Sequence, residues 1–212
     1  MDEGSFQALY GRWDPLHPAG VAALLEDSGV HWWIVGGRAA RSGATPRHHE
    51  DTDVAIRLAD LPALRSHLAG WHLWEPSEQS IRPLMPGAEL RPGQEQLWLR
   101  RDAHHPWVAD FQLQRHEHAW VFKKDPRIVL PWDRALHTVD GVHYLRPEVA
   151  LLHKAHLDRP KDRADLAAAV LTSDARGWLA GTLELLGHHS WAHTVRTGGT
   201  DTSTLARWQH QL

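Results

Sequence analysis

Two aspartates placed two residues apart, Asp51 and Asp53, are the residues whose types and spacing most directly indicate chemistry. They open an aliphatic segment, residues 51–57, that we predict to be a β-strand. Alternate side chains of a strand share a face, so the two carboxylates are expected side by side. Such carboxylates repel each other unless a cation lies between them. Because Mg²⁺ takes one or two carboxylates together with water and phosphate oxygens, the spacing predicts a metal-dependent phosphate-handling site.

A glycine pair, Gly36 and Gly37, precedes the aspartates and ends a predicted strand over residues 31–35. Glycine lets the backbone approach phosphate oxygens closely, and amide hydrogens at the start of the following helix can point at those oxygens. The pair therefore predicts a phosphate-binding turn. Three arginines in the loop that follows can clamp phosphates in a bidentate manner: Arg38, Arg41 and Arg47.

A third carboxylate, Asp110, lies in the middle of a strand predicted over residues 107–113. If it shares the site, it either completes the metal ligands or takes the proton from an acceptor hydroxyl. The sequence leaves both roles open. Glu95, at the start of the preceding predicted strand, is a second candidate base.

His49, two residues before Asp51, can hydrogen-bond a phosphate or support an aspartate. A zinc site that combines His48, His49 and Asp51 is an alternative. No H-E-x-x-H motif completes such a site in the sequence. The magnesium interpretation is therefore preferred.

These motifs, taken in order, resemble the nucleotidyltransferase superfamily with the polymerase-beta-like fold. Within it, the chain is similar to the small aminoglycoside and lincosamide nucleotidyltransferases. The resemblance covers about residues 20–185. It is carried by the glycine pair, the R-x-H-x-D-x-D motif from Arg47 to Asp53, WVADFQL at 107–113, LRPE at 145–148, LLHK at 151–154 and RPKDRADL at 159–166.

The resemblance implies an α+β fold, with a small mixed nucleotidyltransferase sheet flanked by helices and followed by a C-terminal helical part. It implies transfer of a nucleoside monophosphate, AMP by preference, from a triphosphate to a hydroxyl of a small, antibiotic-type molecule. Mg²⁺, with a second ion, is the implied cofactor. The implied metal and catalytic residues are Asp51, Asp53 and Asp110, and the implied nucleotide-binding residues are Gly36, Gly37, Arg47, His49 and Lys154.

The segment after Gly37, residues 38–43, departs from the longer and more apolar helical turn of the relatives. This departure is the sequence support for one alternative, an inactive nucleotide-binding module. A separate alternative is a toxin-like nucleotidyltransferase that modifies tRNA or a protein. The net charge of −3 and the scarcity of lysine disfavour a nucleic-acid substrate. Intact Asp51, Asp53 and Asp110 disfavour the inactive module.

The composition is that of an ordinary soluble globular protein, with 42% hydrophobic and 23% charged residues among 212. The absence of cysteine excludes disulfides, thiolate zinc sites and cysteine nucleophiles. No apolar run is long enough for a membrane span and the start lacks a signal peptide, so we expect a cytoplasmic protein without membrane partners. We expect a monomer or homodimer. The 12 tryptophans are too many for the core alone, which indicates an aromatic cleft.

Two domains are predicted, a nucleotidyltransferase α/β core with a β extension over residues 1–140 and a helical domain over residues 141–212. Helices are expected at 18–27, 60–69, from Pro147, from Pro160 and at 174–186. Residues 75–94 hold prolines and glycines and are expected to form a loop or an irregular hairpin. In the RPKDRADL segment, three residues either serve the nucleotide or brace the helices: Lys161, Asp162 and Asp165.

Overall fold

The computed structural model describes residues 3–42, 49, 51–77 and 80–198 of the chain. It divides the chain into two compact units. The first contains Met1–Arg38 and Arg47–Leu145, and the second contains Ala39–Pro46 and Arg146–Leu212. Among the described residues, no helix is long and apolar enough to cross a membrane.

Within the described residues, the first unit is built on one mixed sheet of eight strands and one separate pair of short strands. The strands are β1 (Trp32–Ile34), β2 (Asp53–Arg57), β3 (His72–Pro76), β4 (Ile81–Pro83), β5 (Gln96–Arg100), β6 (Trp107–Gln114), β7 (Trp120–Val121), β8 (Val129–Leu130), β9 (Leu136–Val139) and β10 (Val142–Leu145). The strand order in the large sheet is β4-β3-β5-β6-β2-β1-β10-β9, and β7 pairs with β8.

Two neighbouring pairs of the large sheet are parallel, β2 with β6 and β1 with β10, and the other pairs are antiparallel. The parallel pair at the centre matters most here, because its first register position sets Asp53 opposite Asp110. Side chains alternate along each strand. The face that carries Val54, Ile56 and Phe111 is therefore separate from the face that carries the two aspartates.

The first of these faces forms the hydrophobic core of the unit. Leu97 and Leu99 on β5, Phe111 on β6 and Val54 on β2 are fully buried. Helices of the same unit cover this face, and Val21 and Leu64 contribute to the same core cluster. The helices and the 3-10 turn of this part of the chain are α1 (Glu3–Tyr10), α2 (Pro18–Leu24), α3 (Gly36–Ala40), a 3-10 turn (Leu58–Asp60), α4 (Leu61–His67) and α5 (Trp132–Ala135).

The second unit is helical, with α6 (Pro147–Ala155), α7 (Pro160–Ala168), α8 (Ser173–Leu185) and α9 (His189–Thr197). Proline in the first turn starts α6 and α7, where the missing amide hydrogen has no helical partner to lose. Thr172 caps α8 by accepting a hydrogen bond from the amide of Ala175 at 3.2 Å. Helix α6 packs against α7 and α8, and α8 packs against α9.

The expected α+β class, with a mixed sheet flanked by helices and a helical C-terminal part, is confirmed. Several elements differ from expectation. Helix α2 ends at Leu24, three residues earlier than predicted. Of the loop and the irregular hairpin considered for residues 75–94, the structure has a hairpin, formed by β3 and β4 and starting at His72. Strands β9 and β10 and helix α9 carried no assignment from sequence, because short strands and a segment rich in His, Ser and Thr have weak local signals.

Replacement of Phe111 by alanine is expected to lower the free energy of unfolding by about 3–5 kcal/mol, since a fully buried ring leaves a cavity in the central strand. Urea denaturation followed by tryptophan fluorescence measures the change. Leu9→Ala is the control, because Leu9 is 67% exposed. Equal losses for the two variants would contradict the assigned core.

Candidate active site

Two carboxylates face each other across the central parallel strands. Asp53 opens β2 and is half-buried, whereas Asp110 lies within β6 and is only 7% exposed. Neighbouring strands lie about 4.8 Å apart, and directly paired residues of parallel strands project to the same face. The fold therefore brings together two acidic side chains that are 57 positions apart in the chain.

The electrostatic environment of Asp110 is unfavourable for a lone carboxylate. Burial raises the pKa of Asp110 well above its usual value, and the negative charges of Asp53 and Asp51 raise it further. The N–H groups of the nearby Trp98 and Gln112 side chains act on this pKa in the opposite direction. Burial and like charge dominate, so a positive charge at this position would stabilise the ionised group.

The two oxygens of Asp110 differ in their partners. Oδ2 accepts a hydrogen bond from the Gln96 side-chain amide at 3.2 Å. Oδ1 is buried and, within the described part of the chain, has no hydrogen-bond partner of ordinary geometry. A buried acceptor without a partner costs free energy, so such an atom in a folded protein calls for an explanation.

The turn that carries Asp51 and Asp53 is fixed through Thr52, which is fully buried. Its hydroxyl donates to the carbonyl of Leu16 at 2.7 Å and accepts from Nε of Arg38 at 3.0 Å. Its carbonyl accepts from the amide of Asp110 at 3.0 Å. Asp51 precedes β2 and is exposed, so the strand begins two residues later than predicted. After burial and Asp53, the negative charge of Asp51 also contributes to the raised pKa of Asp110.

Gly36 lies directly against Asp53 of this carboxylate pair. Its φ of +64° lies in the left-handed region that favours glycine, and a Cβ atom there would overlap with Oδ2 of Asp53. Helix α3 begins at Gly36 itself, with Gly37 as its second residue, rather than after the pair as predicted. The amide of Val35 donates to the carbonyl of Asp53 at 3.0 Å, which holds the turn against β2.

The other predicted site residues have the following positions. His49 is buried two residues before Asp51. Arg47 lies outside the described residues, so its assignment to the nucleotide stays a prediction. Glu95 is exposed and paired with Lys123 at 3.2 Å, immediately before β5. Gln96, which donates to Asp110, was not predicted as a site residue, because a neutral amide at the start of a strand carries no motif signal.

Lys154 belongs to the second unit, where it is bound by two fully buried aspartates. Its Nζ lies 3.2 Å from Oδ1 of Asp162 and 3.0 Å from Oδ2 of Asp165. Arg41 pairs with Asp165 at 3.0 Å, and Arg159 pairs with Asp162 at 2.8 Å. For Asp162 and Asp165 we considered nucleotide binding and bracing of the helices, and this ion-pair network supports the bracing role. The assignment of Lys154 to the nucleotide remains a prediction.

The charges in this network balance the cost of burial. Burial by itself raises the pKa of Asp162, but hydrogen bonds from Arg159 and Lys154 outweigh it, and the pKa lies below its usual value. Asp162 therefore stabilises the fold at neutral pH in its ionised form, and this contribution is lost as the pH falls through its lowered pKa. Lys161, expected to join such a network, is exposed.

Two tryptophans of the first unit lie against one buried arginine, and two more tryptophans pack beside them. Arg100 is 7% exposed, and its guanidinium lies 4.3 Å from the Trp74 ring centre and 4.2 Å from that of Trp107. Trp98, the register partner of Asp110 on β5, packs against Trp107 at 5.5 Å and against Trp13 at 5.2 Å. Tryptophan abundance is thus explained in part by a packed cluster beside the carboxylates.

The donor set of the carboxylate pair fits Mg²⁺ as a two-carboxylate site. Across residues 3–42, 49, 51–77 and 80–198, no group of three or more His, Asp or Glu side chains is close enough to hold a metal by itself. Mg²⁺ needs only one or two carboxylates, because water and phosphate oxygens supply the other ligands. Asp53 and Asp110, whose Oδ1 has no hydrogen-bond partner among the described residues, fit that requirement.

Comparison with known proteins found no matching family model and no matching curated protein. Two solved structures are similar. The solution structure of the antibiotic-resistance factor ANT(2'')-Ia is 13% identical, covering 91% of this chain and 94% of that chain with a TM-score of 0.41. A crystal structure of ANT(2")-Ia in complex with adenylyl-2"-tobramycin is 12% identical, covering 84% and 93% with a TM-score of 0.40. At such low similarity, the functional proposal depends on the residues of the site.

Gly36→Ala is expected to lower the free energy of unfolding by more than Gly29→Ala does. Both glycines have positive φ, so each alanine costs about 1–2 kcal/mol of backbone strain. Only at position 36 does the new methyl group also displace Asp53, since Gly29 has open space around its Cβ position. Urea denaturation of the two variants measures the difference, and equal losses would exclude the close approach.

Lys154→Met is expected to destabilise the second unit by about 3–5 kcal/mol, because it leaves two buried aspartates short of a positive charge. Lys161→Met is the matched control, since Lys161 is exposed on α7. Circular dichroism at increasing urea concentration follows the loss of helix. If Lys154→Met unfolds at the same urea concentration as its control, the bracing role is wrong.

Proposed function

We propose that this protein is a metal-dependent nucleotidyltransferase. The observation that carries the proposal is the placement of Asp53 opposite Asp110 on adjacent parallel strands, with Gly36 against Asp53 and the charge of Asp51 within reach. Two acidic groups held together at one end of a strand pair, beside a glycine turn, suit a magnesium-bound triphosphate. The sequence resemblance points to the same reaction.

The proposed reaction joins an acceptor hydroxyl to the α-phosphorus of a nucleoside triphosphate. The new bond is between the hydroxyl oxygen and this phosphorus, the bond to the bridging oxygen breaks, and pyrophosphate leaves with that electron pair. The hydroxyl proton goes to a carboxylate or to water. Bound Mg²⁺ would neutralise charge on the α-phosphate and the leaving pyrophosphate. We propose AMP as the transferred group and an antibiotic-type small molecule as the acceptor.

The side chains of this chain supply position and charge. Asp53 and Asp110 would hold the metal, and Asp51, exposed before β2, adds negative charge that contributes to the raised pKa of Asp110. Gly36 leaves the space next to Asp53 free of a side chain. Thr52 and Arg38 keep the acidic turn in place. Transfers of this kind are mostly positioning and electrostatics, so this small set of groups is sufficient.

Asp53→Asn is expected to abolish Mg²⁺-dependent triphosphate binding in calorimetry, because the amide removes a charge from the paired carboxylates. Asp27→Asn is the control, since Asp27 is exposed and its φ of +55° also suits asparagine. Screening of hydroxyl acceptors by pyrophosphate release then identifies the substrate class.

Three outcomes distinguish the candidate functions. Metal-dependent binding with pyrophosphate release supports the transferase, with the acceptor screen separating small molecules from tRNA or protein. Binding without turnover on any acceptor supports the inactive module. If the folded wild-type protein binds none of the four ribonucleoside triphosphates, both the transferase and the inactive nucleotide-binding module are excluded.

A further inference from the structure

The amide side chain of Gln96 is placed to control which oxygen of Asp110 a metal would meet. Gln96 begins β5, where it is the register partner of Gln112 on β6. Two positions further along β5, Trp98 is the register partner of Asp110. Because alternate residues share a face, Gln96 projects to the same side of the sheet as Asp110.

The hydrogen bond from Gln96 makes the two oxygens of Asp110 unequal. Its Nε2 donates to Oδ2 at 3.2 Å, whereas Oδ1 is buried without a hydrogen-bond partner in the described part of the chain. An amide does not titrate, so it donates to the carboxylate at any pH. Oδ2 is thereby engaged by the Gln96 amide, and Oδ1 is the oxygen that a metal ion could bind.

The backbone of Gln96 is itself fixed. The buried side chain of Gln94 donates from Nε2 to the carbonyl of Gln96 at 2.6 Å and to the carbonyl of Pro76 at 3.2 Å. Gln94 therefore ties the start of β5 to the end of β3. A donor on such a fixed backbone can set the orientation of its acceptor, as outer-shell partners of metal ligands do.

We propose that Gln96 is a positioning residue, which holds Asp110 through Oδ2 so that Oδ1 is the ligand presented to the metal. The inference rests on the proposed function, because it requires a metal between Asp53 and Asp110. It also assigns a role to Asp110. A carboxylate with one oxygen on the Gln96 amide and the other on a cation is a metal ligand, and the acceptor proton then goes elsewhere.

The test is Mn²⁺ binding to the metal-free protein, measured by electron paramagnetic resonance with Mn²⁺ alone as the probe. Gln96→Met keeps the length of the side chain and removes the donor. We expect it to raise the Kd for Mn²⁺ about 10–100-fold, the range found when outer-shell partners are lost. Gln114→Met is the matched control, since Gln114 lies on the same face of β6, two register positions beyond Gln112.

A second readout separates positioning from general damage. Thermal unfolding without metal is expected to stay cooperative in both variants, with a modestly lower midpoint for Gln96→Met, because Oδ2 of the buried Asp110 loses its donor, and an unchanged midpoint for Gln114→Met. If Gln96→Met fails to fold, Gln96→Asn replaces it. That variant keeps the amide on a side chain one methylene shorter, so it too is expected to raise the Kd.

The outcomes distinguish this inference from the proposed function. Wild-type binding that is weakened in the Gln96 variants and unchanged in Gln114→Met supports both. Wild-type binding that all these variants retain overturns the role of Gln96 and leaves the transferase proposal standing. If the folded wild-type protein binds no Mn²⁺ in the absence or presence of a triphosphate, the proposed function itself fails.

Discussion

The constraint on which the rest of the site depends is the burial of like charge. Asp53 and Asp110 are held opposite each other by a parallel strand pair, and Asp110 is almost fully buried there. Burial and neighbouring carboxylates both disfavour its ionised form. A fold that keeps such a pair carries a free-energy cost that a cation between the two groups would offset. The proposed metal-dependent chemistry follows from that physical imbalance.

The surrounding residues hold the two carboxylates in position. Gly36 leaves room for Oδ2 of Asp53, and buried Thr52 joins the acidic turn to β6 through its backbone carbonyl. Gln96 donates to one oxygen of Asp110. Each of these contacts involves a neutral group. These contacts therefore orient the carboxylates through neutral groups.

In the second unit, buried carboxylates are paired with positively charged side chains. Asp162 and Asp165 are fully buried, but Lys154, Arg41 and Arg159 pair with them at 2.8 to 3.2 Å. Their charge is balanced inside the protein, and the pKa of Asp162 lies below its usual value for that reason. The contrast with Asp110, whose pKa is raised by burial and by the like charges of Asp53 and Asp51, separates a structural ion network from the carboxylate pair.

Local sequence determined the two central strands, the starts of two helices and the acidic motif of the candidate site. The alternation of aliphatic residues in 51–57 and 107–113 indicates the two central strands, and Pro147 and Pro160 mark the starts of α6 and α7. The spacing of Asp51 and Asp53, with the glycine pair before them, predicts an acidic phosphate-handling site. These signals are readable because they depend on neighbours in the chain, through side-chain alternation, fixed φ at proline and helix periodicity.

Only the tertiary structure decided which distant residues meet. The register of β2 against β6 sets Asp53 opposite Asp110, and the register of β5 against β6 brings Gln96 within hydrogen-bonding distance of the same carboxylate. Strands β9 and β10 likewise gained their place from pairing, with β10 beside β1. Register depends on the packing of a whole sheet face, since a shift of one residue would exchange the buried and exposed faces of a strand. No single segment of the sequence contains that information.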